Sequence, residues 1–171
     1  MPLTISVDVL FAAKSGDGFK LLLLRRARSD SYARMLKPIG GKAEAGESTR
    51  QTVLRETSEE GGAWLAEQLE SDKTLFMLRI GYRKSETRQI TNLLYVLDPT
   101  VEKVSEQLVM EDGVSFEWLD LAQVADLQDG SGMKAGVPDG VNAAFPDTKA
   151  AATRALTILA DPDLLTLLSD E

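Results

Sequence analysis

Near the start of the chain, apolar Ile5, Val7, Val9 and Phe11 alternate loosely with polar Thr4, Ser6 and Asp8. This period of two predicts a strand over residues 3–13. Ser15-Gly16-Asp17-Gly18 reads as a turn, and the unbroken apolar run from Phe19 to Leu24 predicts a second, buried strand closing a hairpin. Residues 27–46 carry two glycine clusters and read as a loop. Residues 48–60 hold no Gly or Pro and are closed by Gly61-Gly62, as a helix is closed. Residues 74–82 and 89–97 predict two further strands around a polar turn at 83–87. A short strand over 116–119 leads into a helix over 121–127. Residues 128–147, rich in Gly, Pro and Asp, predict a long irregular loop. An alanine-rich helix follows over 148–160, and 164–168 reads as a short apolar turn. The pattern predicts a mixed α/β (α+β) fold, with strands first, a helix, more strands and closing helices. The whole of residues 1–171 is expected to form a single domain.

Composition narrows the chemistry. With 171 residues, 43% of them hydrophobic, the chain can bury a sizeable core. No apolar stretch reaches the ~18 residues of a membrane span. The first residues lack a basic segment and carry Asp8 within the apolar run, so a cytoplasmic location is expected. Cysteine and histidine are both absent. Any metal must then sit on oxygen, which favours Mg²⁺, Mn²⁺ or Ca²⁺, and any general base must be Glu, Asp, Lys or Tyr. Nineteen Lys and Arg against 27 Asp and Glu give a net charge of −8. A body this acidic disfavours nucleic-acid strands as partners. Yet Arg25, Arg26, Arg28, Arg34, Lys37 and Lys42 all precede the first long helix, and a local basic pocket suits a small anionic ligand.

That helix carries the most unusual feature. Glu56, Glu59 and Glu60 fall within about 100° of one another on a helical wheel, so three carboxylates project from one side. Glu59 and Glu60 also lie in the last turn, where the helix dipole disfavours anions by roughly 0.3–1 kcal/mol each. Such a face is either an ordinary solvated acidic surface or a seat for a divalent cation. The spacing of the whole segment separates the two. Gly41, Glu47, Arg55, Glu56, Glu59, Glu60 and Gly62 read G-x5-E-x7-R-E-x2-E-E-x-G. This resembles the Nudix box of nucleotide pyrophosphohydrolases at every invariant polar and glycine position, over residues 41–63. Thr57 and Ala63 depart, standing where Leu, Ile or Val is usual. Upstream, Arg25-Arg26-Ala27 and Gly40-Gly41-Lys42 resemble the MutT branch, with Ile39 where that branch has Pro. Downstream, Arg88-Gln89-Ile90-Thr91 and Glu117-Trp118-Leu119 are similar to MutT strands.

The resemblance implies an α/β/α sandwich with a mixed sheet between helices, and Mg²⁺ as cofactor, with Mn²⁺ able to substitute. It implies metal ligation by Glu56, Glu60 and the backbone carbonyl of Gly40. Glu59 is then a further ligand or the base that deprotonates the attacking water. Arg55 is expected to pair with Glu47 and fix the loop against the helix, supporting catalysis from behind the ligands. Gly41 allows close backbone approach near the phosphates. Arg26 and Lys42 are candidate phosphate contacts, Arg26 with the alternative of a solvated cation after a strand. Glu111 is a candidate additional ligand, preferred over Asp112, with an acidic β-turn as the alternative. Trp64 and Trp118 are expected in the core or beside the sheet, with base stacking as the minority alternative.

For substrate, the resemblance implies a small nucleotide: a nucleoside triphosphate cut to monophosphate and pyrophosphate, with oxidised forms among the candidates. MutT enzymes read the purine with an Asn after a Phe-Pro segment. Here Phe145-Pro146 is followed by Asp147-Thr148-Lys149, and Asn142 precedes it. Met77 stands where ADP-ribose hydrolases usually carry Pro, and the missing cysteines exclude zinc-bearing branches. Hydrolysis of dinucleoside polyphosphates, ADP-ribose-like compounds or RNA 5′ ends stays open, as does a non-enzymatic nucleotide sensor. Oligomeric state is open too, a homodimer included.

Overall fold

The computed structural model describes residues 3–71 and 78–163. The elements follow in chain order. The hairpin strands are β1 (Thr4–Ser15) and β2 (Gly18–Arg25), and two short strands, β3 (Leu36–Lys37) and β4 (Ile39–Lys42), precede the helices α1 (Thr49–Gly61) and α2 (Ala63–Ser71). Next come β5 (Leu78–Lys84), β6 (Arg88–Val96), α3 (Val101–Gln107), β7 (Ser115–Leu119) and α4 (Leu121–Ala125). The chain closes with β8 (Gln128–Asp129), β9 (Ala143–Ala144) and α5 (Pro146–Leu159). Of the expected strand over 74–82, residues 74–77 lie outside the described residues, as does the expected apolar turn at 164–168.

One mixed sheet runs β5-β6-β1-β2-β3-β9-β8, with β4 added beside β1 and β7 beside β2. The long strand β1 is its centre. Along one edge β1 pairs in parallel with β6, from Thr4↔Arg88 to Ala12↔Val96. Along the other it is shared: its first half pairs antiparallel with β4 and its last residues with β2. The period-two pattern therefore forms a strand covered on both faces. Val7, Val9, Phe11 and Ala13 join Leu22 and Leu24 in a cluster with Val53 of α1, Leu65 and Leu69 of α2 and Val104 of α3. Leu10, Ala12, Leu21 and Leu23 join a second cluster with Val124 of α4 and Ala151, Ala152, Ala155 and Leu156 of α5. Layers of helix, sheet and helix result, as the sequence pattern and the resemblance imply. The four consecutive leucines of β2 are buried because both sheet faces are covered, and full burial of each is worth about 1.5–3 kcal/mol.

Several elements differ from expectation. Helix α1 begins at Thr49 because Ser48 is its cap: the Ser48 hydroxyl accepts from the Gln51 N–H, and the Gln51 side chain accepts from the Ser48 N–H. The Gly61-Gly62 pair ends α1 but not helical structure. Gly62 alone breaks it, at φ 95°, and α2 starts at the next residue, burying Leu65 and Leu69 one turn apart. A β-carbon on Gly62 would press on Val109, so this sharp junction requires glycine on two counts. Helix α3 was hidden by its length and single buried residue, Val104. The loop over 128–147 is stitched to the sheet by β8 and β9, where Ala144 pairs with Leu36 and Asp129. Two-residue strands leave no periodic signal. Pro146 then opens α5 two residues early, its fixed φ suiting the first helical position.

Trp64 and Trp118 both pack against the cluster on the α1 side, and the Trp118 indole N–H donates to Ser105 Oγ at 2.9 Å. Both belong to the core edge, as expected. No helix among the described residues is long and apolar enough to cross a membrane.

The aliphatic slot taken by Thr57 has a direct energetic reading. Thr57 is fully buried in α1, and its hydroxyl has no hydrogen-bond partner among the described residues. Thr57→Val removes that unpaired hydroxyl while keeping the shape, and should stabilise the protein by about 1 kcal/mol, seen as a rise of about 2–4 °C in Tm. An unchanged or lowered Tm would mean that the hydroxyl is satisfied in solution.

Candidate active site

The site forms where β4 lies against α1. Asp8↔Gly40 and Val7↔Gly41 pair across β1 and β4, so the glycine pair sits in the sheet directly beneath the last turns of the helix. A β-carbon at Gly41 would overlap the Glu56 carboxylate, so glycine there leaves room for that carboxylate. The Gly40 N–H donates to Glu60 Oε2 at 2.9 Å, tying the end of α1 to the strand.

Arg55 organises the rest. Its Nε donates to Glu47 Oε1 at 2.8 Å, and Nη2 donates to Glu47 Oε2 at 3.1 Å and to the Lys42 carbonyl at 2.9 Å. Nη1 donates to Glu56 Oε1 at 2.9 Å and to Glu59 Oε2 at 3.2 Å. All five guanidinium donors thus have acceptors, in a fork no other side chain supplies. Glu47 also accepts from the Glu44 N–H and the Thr52 hydroxyl. These bonds, Arg55 first, hold the Glu47 carboxyl down at about 2, while Glu47 and Glu56 push the Arg55 guanidinium further up. The expected Arg55–Glu47 pair is present, and the same arginine also clasps Glu56 and Glu59.

The three helix carboxylates consequently do not point at one spot. Glu60 turns the other way, to the Lys37 ammonium, which also lies 3.5 Å from the Gly40 carbonyl. Among the described residues no three acidic side chains gather into a metal cage. The donor chemistry nonetheless fits a hard cation. Two oxygens assigned by resemblance, Gly40 O and a Glu60 carboxylate oxygen, already meet on one positive charge, that of Lys37. Burial pushes the Glu60 carboxyl above the usual carboxylate range, opposed by Lys37 and by the Gly40 N–H.

A cavity of about 120 Å³ opens beside this ion pair, lined by Leu24, Arg26, Asp30, Lys37, Glu60, Glu111 and Val114. Arg26 and Glu111, far apart in sequence, therefore meet Glu60, whereas Asp112 does not line the cavity. The Glu111 carbonyl closes a turn by accepting from the Val114 N–H, so the acidic-turn reading and the cavity-lining position hold together. Arg26 Nε is buried without a hydrogen-bond partner among the described residues. Lys42 is exposed at the end of β4, outside this cavity, and its carbonyl serves Arg55.

Two residues were not singled out by sequence. Lys37 was only one of several cations before the helix, and nothing local marks its contact with Glu60. Asp8 left a clearer signal, a charge inside an apolar strand. Burial raises its carboxyl to about 6, against the pull of Lys37 and Arg88 and with Glu60 adding to the rise.

The family model described as NUDIX domain matches residues 2–139. The chain belongs to the Nudix family. Its members are hydrolases of nucleoside diphosphate derivatives that generally use divalent metals, and this chain is a Nudix hydrolase. Solved Nudix structures share the fold. A MutT/Nudix family protein from Enterococcus faecalis is 16% identical, with 99% of this chain and 68% of that one covered at a TM-score of 0.61. The Nudix domain of Shewanella oneidensis NrtR, in complex with ADP ribose, is 17% identical over 94% of this chain and 90% of that one, at 0.60. A C. elegans Ap4A hydrolase binary complex is 14% identical over 92% and 98%, at 0.57. No curated protein sequence matches.

The Arg55 network predicts a pH signature. A carboxylate held below its ordinary pKa stabilises the fold above about 4.3, and that contribution is lost as pH falls through the folded value. Arg55→Ala should therefore melt several degrees below the parent at pH 7. The difference should shrink as pH falls from about 4.5 towards 2, where Glu47 protonates. A gap that stays constant across that range, followed by circular dichroism, would show that Arg55 stabilises by packing alone.

Proposed function

We propose that this Nudix hydrolase is a Mg²⁺-dependent nucleoside triphosphate pyrophosphohydrolase, with Mn²⁺ able to substitute. The observation that carries the reading is the convergence of Gly40 O and Glu60 on one cation beside a cavity that Arg26 also lines. At about 120 Å³ the cavity falls below the ~300–1,000 Å³ of whole-ligand pockets, so it suits phosphate groups and leaves sugar and base outside it.

Glu56, Glu60 and the Gly40 carbonyl would hold the metal, with Glu111, which lines the same cavity as Glu60, as a further carboxylate. A bound divalent cation neutralises diphosphate charge and lowers the pKa of water. Arg26, which lines the cavity, receives phosphate oxygens, and Lys42 lies outside it. Glu59 is the base: its side chain is half exposed, and among the described residues only its Oε2 is engaged, which leaves Oε1 to take the proton of the attacking water. One P–O bond of the α–β anhydride breaks as water adds, giving monophosphate and pyrophosphate. Arg55 and Glu47 position Glu56 and Glu59 without touching substrate.

Glu60→Gln should lower kcat at least about a hundredfold, since loss of charge stabilisation at the reacting phosphate has that scale. The amide oxygen can still accept the Gly40 N–H, so the variant should fold. Full activity in EDTA, or an unimpaired Glu60→Gln enzyme, would overturn the metal mechanism. The decisive assay compares nucleoside triphosphates, ADP-ribose and dinucleoside polyphosphates with each metal. The latter two enter because an ADP-ribose-bound domain and an Ap4A hydrolase share the fold.

Base preference should be broad. No Asn follows Phe145-Pro146, and the Asn142 oxygen accepts from Arg25 Nη2 at 2.7 Å, which occupies it in joining the end of β2 to the residue before β9. Without a dedicated polar reader, discrimination falls to the ~1–3 kcal/mol of apolar contact. The kcat/KM for 8-oxo-dGTP should exceed that for dGTP by less than about a hundredfold. A preference above about a thousandfold that collapses in Asn142→Ala would show that Asn142 reads the base.

A further inference from the structure

Lys37 lies on the two-residue strand β3, anchored by the pairing of Lys37 with Leu24 and of Leu36 with Arg25. Strand pairing and the adjacent Pro38 fix where its backbone stands, while the four-carbon stem leaves its ammonium free to move between the ion pair and the cavity it lines. Its ammonium bonds Glu60 Oε1 and approaches the Gly40 carbonyl at 3.5 Å, while the other Glu60 oxygen takes the Gly40 N–H. Side-chain exposures of 25% for Lys37 and 18% for Glu60 mean that neither charge is dissolved in water, so this pair is not a weak surface contact. An ammonium has no lone pair and cannot itself ligate a cation. Where it sits, nothing else positive can bind the same two oxygens.

We propose that Lys37 is a built-in counter-ion for this site: a divalent cation reaches Gly40 O and Glu60 by displacing the Lys37 ammonium, which then turns into the adjoining cavity and joins Arg26 as a phosphate contact. The inference rests on the reading that these oxygens take a divalent metal. It adds a coupling that such a reading does not contain. While Lys37 holds the seat, apparent metal affinity falls by the fraction of time the seat is free. Each bound metal releases one cation into the phosphate cavity, so metal and phosphate binding reinforce each other.

The test is Mn²⁺ binding, by electron paramagnetic resonance and calorimetry, to the parent and to Lys37→Met, with no nucleotide present. Lys42→Met removes the same charge from a nearby strand without touching Glu60 or Gly40, and is the control. Lys37→Met should bind Mn²⁺ about tenfold or more tightly than the parent, and Lys42→Met within about threefold. In EDTA, Lys37→Met should melt several degrees lower, because Glu60 loses its partner. An equal gain in both variants would reduce the effect to net charge and overturn the proposal. Unchanged or weaker binding by Lys37→Met alone would overturn it while leaving the metal reading intact. No Mn²⁺ binding by any of the three proteins would overturn the metal reading, and this proposal with it. A measurement on the parent needs no variant: the Lys37 ¹⁵Nζ ammonium resonance, held by Glu60 in EDTA, should shift and lose that bond as Mg²⁺ is added. A resonance unmoved at saturating Mg²⁺ would also overturn the proposal.

Discussion

Four carboxylates, those of Glu47, Glu56, Glu59 and Glu60, gather around α1, Glu56 and Glu60 of them beside Gly41 and Gly40, and the resulting repulsion is what the surrounding structure must answer. Arg55 answers most of it. One planar guanidinium reaches three carboxylates and a carbonyl from the middle of α1, while Lys37 neutralises the fourth from the sheet. Lysine in place of Arg55 would keep the charge and lose the fork, because a point charge cannot reach in four directions at once.

The same contacts make the helix and the sheet one rigid body around the chemistry. Glu47 ends a loop, Arg55 sits mid-helix and Lys42 ends a strand, so a single side chain joins three kinds of backbone. Gly40 and Gly41 let α1 approach β4 closely enough for Glu60 to reach a strand N–H. Leu65 and Val53, packed under that turn on the sheet, fix its distance. The reactive oxygens are thereby placed by elements with buried cores, and only Glu59 is left on the open side.

The box was legible because its chemistry demands fixed residue types at fixed intervals, and the long strands were legible because burial imposes a period. Glu111 could be placed by its distance from Trp118, since a short turn and β7 carry it back to the cavity. What sequence concealed was of another kind. The α1–α2 junction looked like an end because Gly61-Gly62 is as good a terminator as a pivot. The pairing of Ala144 with Leu36 involves two residues with no local preference, held by neighbours distant in the chain. The partner of Glu60 depended on which of several cations the strand β3 would carry beneath α1, a matter of tertiary geometry alone.

The parallel pairing of β1 with β6 sets an order in time. β1 is made early, and its hairpin with β2 can close at once, since Ser15 and Gly18 are neighbours. Its remaining edge waits until Arg88–Val96 has left the ribosome, with α1 and α2 made in between. Throughout that interval the strand that will carry the middle of the sheet has one bare edge, lined with Val, Leu and Phe. Ser6 and Asp8 interrupt that edge near the future site, and a charge in such a place hinders wrong strand pairing with other chains. Asp8, which lies beside Gly40 in the folded protein, is thus also a charge of the kind that disfavours wrong pairing while β1 still has an unpaired edge.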